Sequence, residues 1–273
     1  MGAKKQLGQN FLQNKRKLLK MVDVLDPALD GVVEIGPGHG ELTRYILEKD
    51  FSVICIEKDK DMVSVLQKKF ERDITNGKLK IIEGDALGEI SNNKFQIING
   101  ITDKNYAIVG NIPYYITGHL LRIIGELEHK PKQVILLIQE EVAYRLCAQK
   151  GDMNLLAASV GWWAQTRIIT HVPRNMFSPQ PKVDSAVILL TLNDACRFTK
   201  RDFGEREKEL YFSCVRALFK QPRRTAIKNL SDAGIVREEI EKKFLTLSMN
   251  SLVRPQDFSI DDIIALSILF SSQ

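Results

Sequence analysis

Between residue 31 and about residue 140, short runs of β-branched and aliphatic residues alternate with stretches whose apolar positions recur every three or four residues. The runs Val32–Ile35, Phe51–Ile56, Leu79–Ile82, Tyr106–Val109 and Val134–Ile138 predict strands. Glu41–Glu48, Lys60–Phe70, Thr117–Leu127 and Glu140–Gln149 predict helices. Such alternation argues for a parallel sheet covered by helices on both faces. Two later runs, Arg167–His171 and Val183–Leu192, flank a proline-rich loop and suit a hairpin on the sheet edge. The expected fold is therefore α/β, a doubly wound, seven-stranded, mostly parallel sheet ending near residue 192. Residues 89–104 are polar and weakly periodic, and read as a surface excursion. Beyond residue 200 no strand signal is strong. Leu210, Cys214, Ala217 and Leu218 suggest a helix stopped by Pro222, and further helices fit Arg224–Leu230, Arg237–Phe244 and Pro255–Phe270. The expected division is a first domain over 1–195, with an N-terminal arm over 1–20, and a small all-helical domain over 196–273.

Composition narrows the class. A chain of 273 residues, 44% hydrophobic and 27% charged, has room for one large core and a modest second one. No apolar run approaches the roughly 18 residues of a membrane span. The basic N-terminus is not followed by an apolar signal segment, so cytoplasmic residence is expected. Cys55, Cys147, Cys196 and Cys214 match no zinc or redox spacing, the four histidines are scattered, and no metal is expected. Net charge is +5, unevenly spread: residues 1–20 hold six bases and no acid. A second basic segment runs from Arg197 to Lys228. Within it Arg216, Lys220, Arg223, Arg224 and Lys228 are spaced to share one face of a short helix pair broken at Pro222. A short basic face is often only solvated surface. Two of them on a nearly neutral body suit a phosphate-binding surface.

Two loops carry candidate chemistry. In EIGPGHGELT, Glu34–Thr43, a strand runs into a turn with Gly36, Gly38 and Gly40 and then a helix. Glycines there let the backbone approach a ligand and take positive φ, although tight βα turns are also glycine-rich for structural reasons alone. Glu57 ends the next strand, where an acid can accept both hydroxyls of a ribose. Asp85 follows the third strand, where a carboxylate can accept from an adenine amine. Each acid alone is also an ordinary strand-end carboxylate; three successive strand ends with fitting groups favour a nucleotide-type ligand. No G-K-[ST] follows the glycines, which disfavours phosphoryl transfer. In NIPYYI, Asn111–Ile116, Asn111 can accept from an exocyclic amine, Pro113 constrains the loop, and Tyr114 offers a ring for stacking on a base or for plain packing.

Asn-Ile-Pro-Tyr after such a glycine loop resembles the N6-adenine methyltransferase signature. With KKQLGQNFL (Lys4–Leu12), IEKD (Ile56–Asp59), GDAL (Gly84–Leu87), QEEVAYRL (Gln139–Leu146), FSPQPKVDSAV (Phe177–Val187) and FKQPRRTAIKNL (Phe219–Leu230), the chain resembles the ribosomal RNA adenine N6,N6-dimethyltransferase family, KsgA type, over nearly its whole length. The resemblance implies a Rossmann-like class I methyltransferase using S-adenosylmethionine. It implies that Asn10 and Leu12 lie over the cofactor, Gly36 and Gly38 belong to its loop, Glu57 takes the ribose, Asp85 meets the adenine, and Asn111 bridges cofactor and target. Asn111, Pro113, Tyr114 and Phe177 would handle the flipped target adenine, and the basic residues at both ends would hold RNA backbone. The implied reaction is dimethylation of two adjacent adenosines in the 3′-terminal hairpin of small-subunit (16S) ribosomal RNA. A role in small-subunit biogenesis would accompany it, with ribosomal RNA in a small-subunit particle as partner and the enzyme a monomer. The alternatives are an Erm-like large-subunit methyltransferase, a DNA adenine methyltransferase, or a non-catalytic ribosome assembly factor. Pro37 and Tyr115 favour the small-subunit type over Erm-like enzymes, and Ile112 with the QNFL arm argues against DNA enzymes. The run 89–104 looks longer than in typical members.

Overall fold

A computed structural model of the chain describes residues 9–91, 105–192 and 204–272. Lys4, Lys5, most of the expected excursion at 89–104, and the start of the basic segment at Arg197 lie outside the described residues.

The chain divides into two compact units. One runs to Tyr144 and resumes over Gln165–Leu192; the other takes Arg145–Ala164 and the chain beyond Leu192. In the first unit, β1 (Phe11–Leu12) and α1 (Lys15–Val22) precede β2 (Gly31–Ile35), α2 (Glu41–Glu48), β3 (Ser52–Glu57), α3 (Lys60–Lys69), α4 (Glu71–Thr75), β4 (Leu79–Glu83) and α5 (Ala86–Ser91). Then come β5 (Tyr106–Asn111), α6 (Thr117–Glu126), β6 (Gln133–Gln139), α7 (Glu140–Leu146), which crosses the unit boundary, and, after α8 (Leu155–Gly161) in the second unit, β7 (Ala164–Val172), β8 (Phe177–Ser178) and β9 (Ser185–Leu192).

The seven-stranded sheet has the order β4-β3-β2-β5-β6-β9-β7. Its first five strands are parallel, and β9 runs antiparallel to β6, so the two late runs lie side by side at one edge with β7 outermost. Val134–Ile138 of β6 are solvent-free on both faces, which explains why this strand reads as an unbroken apolar run rather than an alternation. The order turns back between β2 and β5, and such switch points open a crevice at the carboxyl ends of the strands.

The N-terminal arm differs from the sequence expectation in two ways. Within the expected arm over 1–20, residues 15–22 form a helix: Asn14 caps it by accepting from the Lys17 amide at 3.1 Å, and Leu18, Met21 and Val22 bury one stripe. Lys17 is then drawn out of the basic face, donating to Thr170 Oγ1 at 2.8 Å and to the His171 carbonyl. The second difference is the pairing of β1 with β8, Phe11 opposite Ser178 and Leu12 opposite Phe177, which ties the arm to a segment far along the chain.

In the second unit, α8 packs with α9 (Glu205–Leu218), α10 (Ala226–Ser231), α11 (Arg237–Thr246) and α12 (Ile260–Ser267). The apolar stretch after Asn154 explains why 145–164 clusters here: Ala157 and Ala158 are buried against this core, and the Tyr211 hydroxyl donates to the Ala158 carbonyl at 2.7 Å. The helix after Pro222 begins at Ala226, later than expected, and the C-terminal run is split, with a 3₁₀ turn at Pro255–Asp257 before α12, which Ser259 caps. No helix among the described residues is long and apolar enough to cross a membrane.

Candidate active site

The switch-point crevice is a cavity of about 170 Å³ lined by Asn10, Gly36, Gly38, Glu57, Asp85, Asn111, Pro113 and Tyr114 among others. Register explains the convergence. Ile35 lies between Ile56 and Gly110 in the sheet, and Glu57 lies beside Glu83, so the loops leaving β2, β3, β4 and β5 emerge side by side. The Gly36 amide donates to the Ile56 carbonyl at 3.0 Å and the Gly84 amide to the Glu57 carbonyl at 2.9 Å, which prolongs the ladder into the loops.

Glu57 braces the glycine loop. One carboxylate oxygen accepts from the Gly38 amide at 3.0 Å and the other from the Asp59 amide at 2.8 Å, all buried. Gly38 has φ +55°, and a Cβ there would stand 2.6 Å from the ring of Phe11. Only glycine serves at this point, on conformation and on space. Gly40 does a different job: its positive φ starts α2, and a Cβ would strike Phe70 and Leu66, so it allows close packing rather than ligand approach.

Asp85 is held from two sides, accepting from the Leu87 amide at 3.0 Å and from Lys58 Nζ at 2.7 Å. The Lys58 hydrogen bond holds its carboxyl below the usual carboxylate range, so it stays ionised. Behind the loop, Glu34 is wholly buried, and burial pushes its carboxyl up to about 7, against hydrogen bonds from Thr43 and Cys55. On the other wall, Asn111 Nδ2 donates to the Asn10 carbonyl at 2.7 Å, and the Tyr114 hydroxyl lies 2.7 Å from Ser185 Oγ. Burial raises the Tyr114 pKa, keeping the phenol neutral.

Two expected residues are not in this cleft. Phe177 is 5% exposed and belongs to the sheet's apolar core. Leu12, opposite it in the β1–β8 pair, is equally buried, and alternation along β1 turns Phe11 instead of Leu12 toward the cleft. Leu12 lines an adjoining cavity that shares Phe11, Gly36 and Asn111 with the first. Phe11, whose ring covers Gly38 and lies 4.6 Å from that of His39, and Lys58 join the cleft without a local sequence signal. Tyr115, a 70% exposed ring on the cleft wall, does have one in the two adjacent tyrosines after Pro113.

The five basic candidates of the second unit are all exposed. Arg216 lies in the last turn of α9, Lys220, Arg223 and Arg224 follow it before α10, and Lys228 sits in α10. Asn229 anchors that turn: fully buried, it donates to the carbonyls of Leu218 at 2.8 Å and Gln221 at 3.0 Å. Arg224 pairs with Asp232 at 2.6 Å, whereas Lys220, Arg223 and Lys228 form no ion pair among the described residues. No cluster of metal-ligating side chains occurs among the described residues.

Comparison with known proteins identifies the family and the fold. The family model described as ribosomal RNA adenine dimethylase matches residues 2–270. The ribosomal RNA small subunit methyltransferase A of Mycoplasma capricolum is 35% identical over 269 residues, 97% of each chain. Its counterpart in Sulfurimonas denitrificans is 36% identical over 269 residues, 95% of this chain and 91% of the relative. In fold, a dimethyladenosine transferase from Plasmodium falciparum superposes with a TM-score of 0.75 at 23% identity, covering 96% of this chain and 98% of its own. The 23S rRNA methyltransferase ErmE gives 0.74 at 21%, covering 96% and 100%. The chain thus has the class I methyltransferase fold, belongs to the ribosomal RNA adenine dimethylase family, and is an rRNA methyltransferase.

Proposed function

We propose that this protein uses S-adenosylmethionine to dimethylate N6 of two adjacent adenosines in the 3′-terminal hairpin of small-subunit ribosomal RNA, acting as a monomer on a small-subunit particle and contributing to its assembly. The observation that carries the reading is the meeting, in one switch-point cleft, of the Gly36–Gly38 turn, Glu57 and Asp85 on one wall with Asn111–Tyr114 on the other. The names of the relatives supply the small-subunit substrate.

The cleft fits such a cofactor. Each Glu57 oxygen accepts one backbone N–H, which leaves each with a lone pair for a ribose hydroxyl. The ionised Asp85 can accept from the adenine amine. A Cβ at Gly36 would point into open space, so the glycine leaves room for a ligand against the backbone. Ile35, Ile56, Ala86 and Ile112 give apolar walls for a purine. When bound, the cofactor supplies a sulfonium methyl, whose C–S bonding pair stays with the sulfur.

The chain's own part is positional. The lone pair of an adenine N6 is delocalised into the ring, and acceptors around the amine draw it out of conjugation. Because Asn111 spends its NH₂ on Asn10, its Oδ1 is the atom free to accept from the target amine, with the carbonyl of Ile112 or Pro113 as the second acceptor. Tyr114 stacks on the base, and Tyr115 offers a second, exposed ring. Each transfer releases one amine proton to water, and no strong base is required. Arg216, Lys220, Arg223, Arg224 and Lys228 hold RNA phosphates.

The test is transfer of tritiated methyl groups to separated small-subunit particles, large-subunit particles and DNA, followed by nucleoside analysis. Dimethyladenosine confined to small-subunit RNA is expected. Label confined to large-subunit RNA would overturn the small-subunit assignment.

A further inference from the structure

Ser185 opens β9 opposite Gln139 of β6, and it is fully buried. Its hydroxyl lies 2.7 Å from that of Tyr114. Tyr114 sits in a 3₁₀ turn between β5 and α6, with no strand ladder to hold it. Its ring is half-buried, so its orientation depends on what grips the hydroxyl end. That grip comes from a sheet strand, because the other wall of the turn is the cleft itself. Thr117 adds a second brace from the helix side, donating to the Tyr114 carbonyl at 3.0 Å, but this fixes the backbone and not the ring.

The order of events at the amine makes the ring's orientation matter unequally. That inequality follows from the proposed dimethylation, in which the same nitrogen is methylated twice. In the first transfer the target amine carries two hydrogens, so two acceptors can orient it. The lone pair forms the new N–C bond and one proton leaves to water. The secondary amine that remains has a single hydrogen and can satisfy only one acceptor. One orienting hydrogen bond is gone, and the base must be held for the second transfer largely by stacking. Stacking on a ring that rocks does not fix the nitrogen, and small misplacements of a reacting atom cost large factors in rate.

We propose that Ser185 is a positioning residue for the second methyl transfer, holding the Tyr114 ring so that the monomethylated base stays aligned.

The test is single-turnover methylation of small-subunit particles with separate quantitation of mono- and dimethyladenosine. Ser185→Ala should slow the second transfer at least fivefold more than the first, so that monomethyladenosine accumulates where the wild-type enzyme carries it through. Ser185→Thr keeps a hydroxyl and should restore the wild-type ratio. Tyr114→Phe removes the other half of the same hydrogen bond and should accumulate the same intermediate, and adding Ser185→Ala to it should change the ratio no further. A general weakening of the fold would slow both transfers alike. An unchanged ratio in Ser185→Ala, or an equal slowing of both steps, overturns the proposal, as does a full additional effect in the double variant. Should Ser185→Ala fail to fold, Tyr114→Phe alone decides: a wild-type ratio there is enough to reject the proposal. A wild-type enzyme that makes no methylated adenosine on these particles would instead count against the proposed function itself.

Discussion

The side-chain amide of Asn111 donates to the main-chain carbonyl of Asn10 at 2.7 Å, so the N-terminal arm sets which end of that amide faces the cleft. The arm is itself held by Gln9, whose amide donates to Asp59 at 3.3 Å, and by the β1–β8 pair. An isosteric carboxylate cannot donate, and it would face the Asn10 carbonyl oxygen instead. Asn111→Asp and Asn111→Ala are both expected to lose methylation by roughly two orders of magnitude or more, the scale of a lost positioned hydrogen-bonding group. RNA affinity should hold, because one amide adds little to a contact dominated by phosphates. Filter binding beside methyl transfer checks this; a parallel fall in both would show that Asn111 contributes mainly to RNA binding.

Glu57→Ala should weaken S-adenosylmethionine binding by about 1.5–3 kcal/mol, the range for hydrogen bonds to a charged group. RNA binding should barely change. Because Glu57 also braces Gly38 and Asp59, part of the loss would come through the loop. Glu57→Gln can still accept from one of those amides and should lose less. Calorimetry on folded variants measures both, and unaltered affinity in Glu57→Ala would defeat the ribose assignment.

Glu34 makes stability depend on pH. Its carboxyl titrates near 7 when folded against an ordinary value of 4.5, so the folded state holds the proton more tightly. This contribution is complete below about pH 4.5 and is lost as pH rises through 7, on the order of 3 kcal/mol across the window. Glu34→Gln removes the titration. Urea unfolding between pH 5 and 7.5 should show a flatter profile for the variant and a gain in relative stability at the upper end. Identical slopes in the two proteins would place the Glu34 titration elsewhere.

Arg223 is a cleaner probe of the basic turn than Arg224, which is already paired with Asp232. Arg223→Ala should weaken RNA binding and flatten the dependence of log K on log salt by roughly 1, the loss of one phosphate contact. Adding Arg224→Ala should bring the change to roughly 2 if Arg224 exchanges Asp232 for phosphate, and leave it near 1 if it does not. Cofactor affinity should not move. Wild-type affinity and salt slope in the double variant would leave these arginines a solubilising role and make Lys15, Arg16 and Lys20 of α1 the better candidates for the grip.

Local patterns by themselves determined the seven strands of the large sheet, helices α2, α3, α6 and α7 and the helical C-terminal region, because a repeat of 3.6 residues or a short β-branched apolar run is written into each of those segments; α1, α4, α5 and α8 were not legible in this way. The loops EIGPGHG, GDAL and NIPYY were legible for a related reason: glycine, proline and strand-end acids have restricted uses wherever they occur. Only the tertiary structure decided what depends on segments distant in the chain. A two-residue strand such as Phe11–Leu12 is too short to carry a period, and its pairing with Phe177–Ser178 settles which neighbour faces the cleft and which enters the core. The same holds for Ser185 behind Tyr114, Asn229 under the basic turn, and the packing of 145–164 with the C-terminal helices. Each is a contact between side chains or backbone atoms whose positions are set by packing, and no local pattern in the sequence encodes which distant partner a buried hydroxyl or amide will meet.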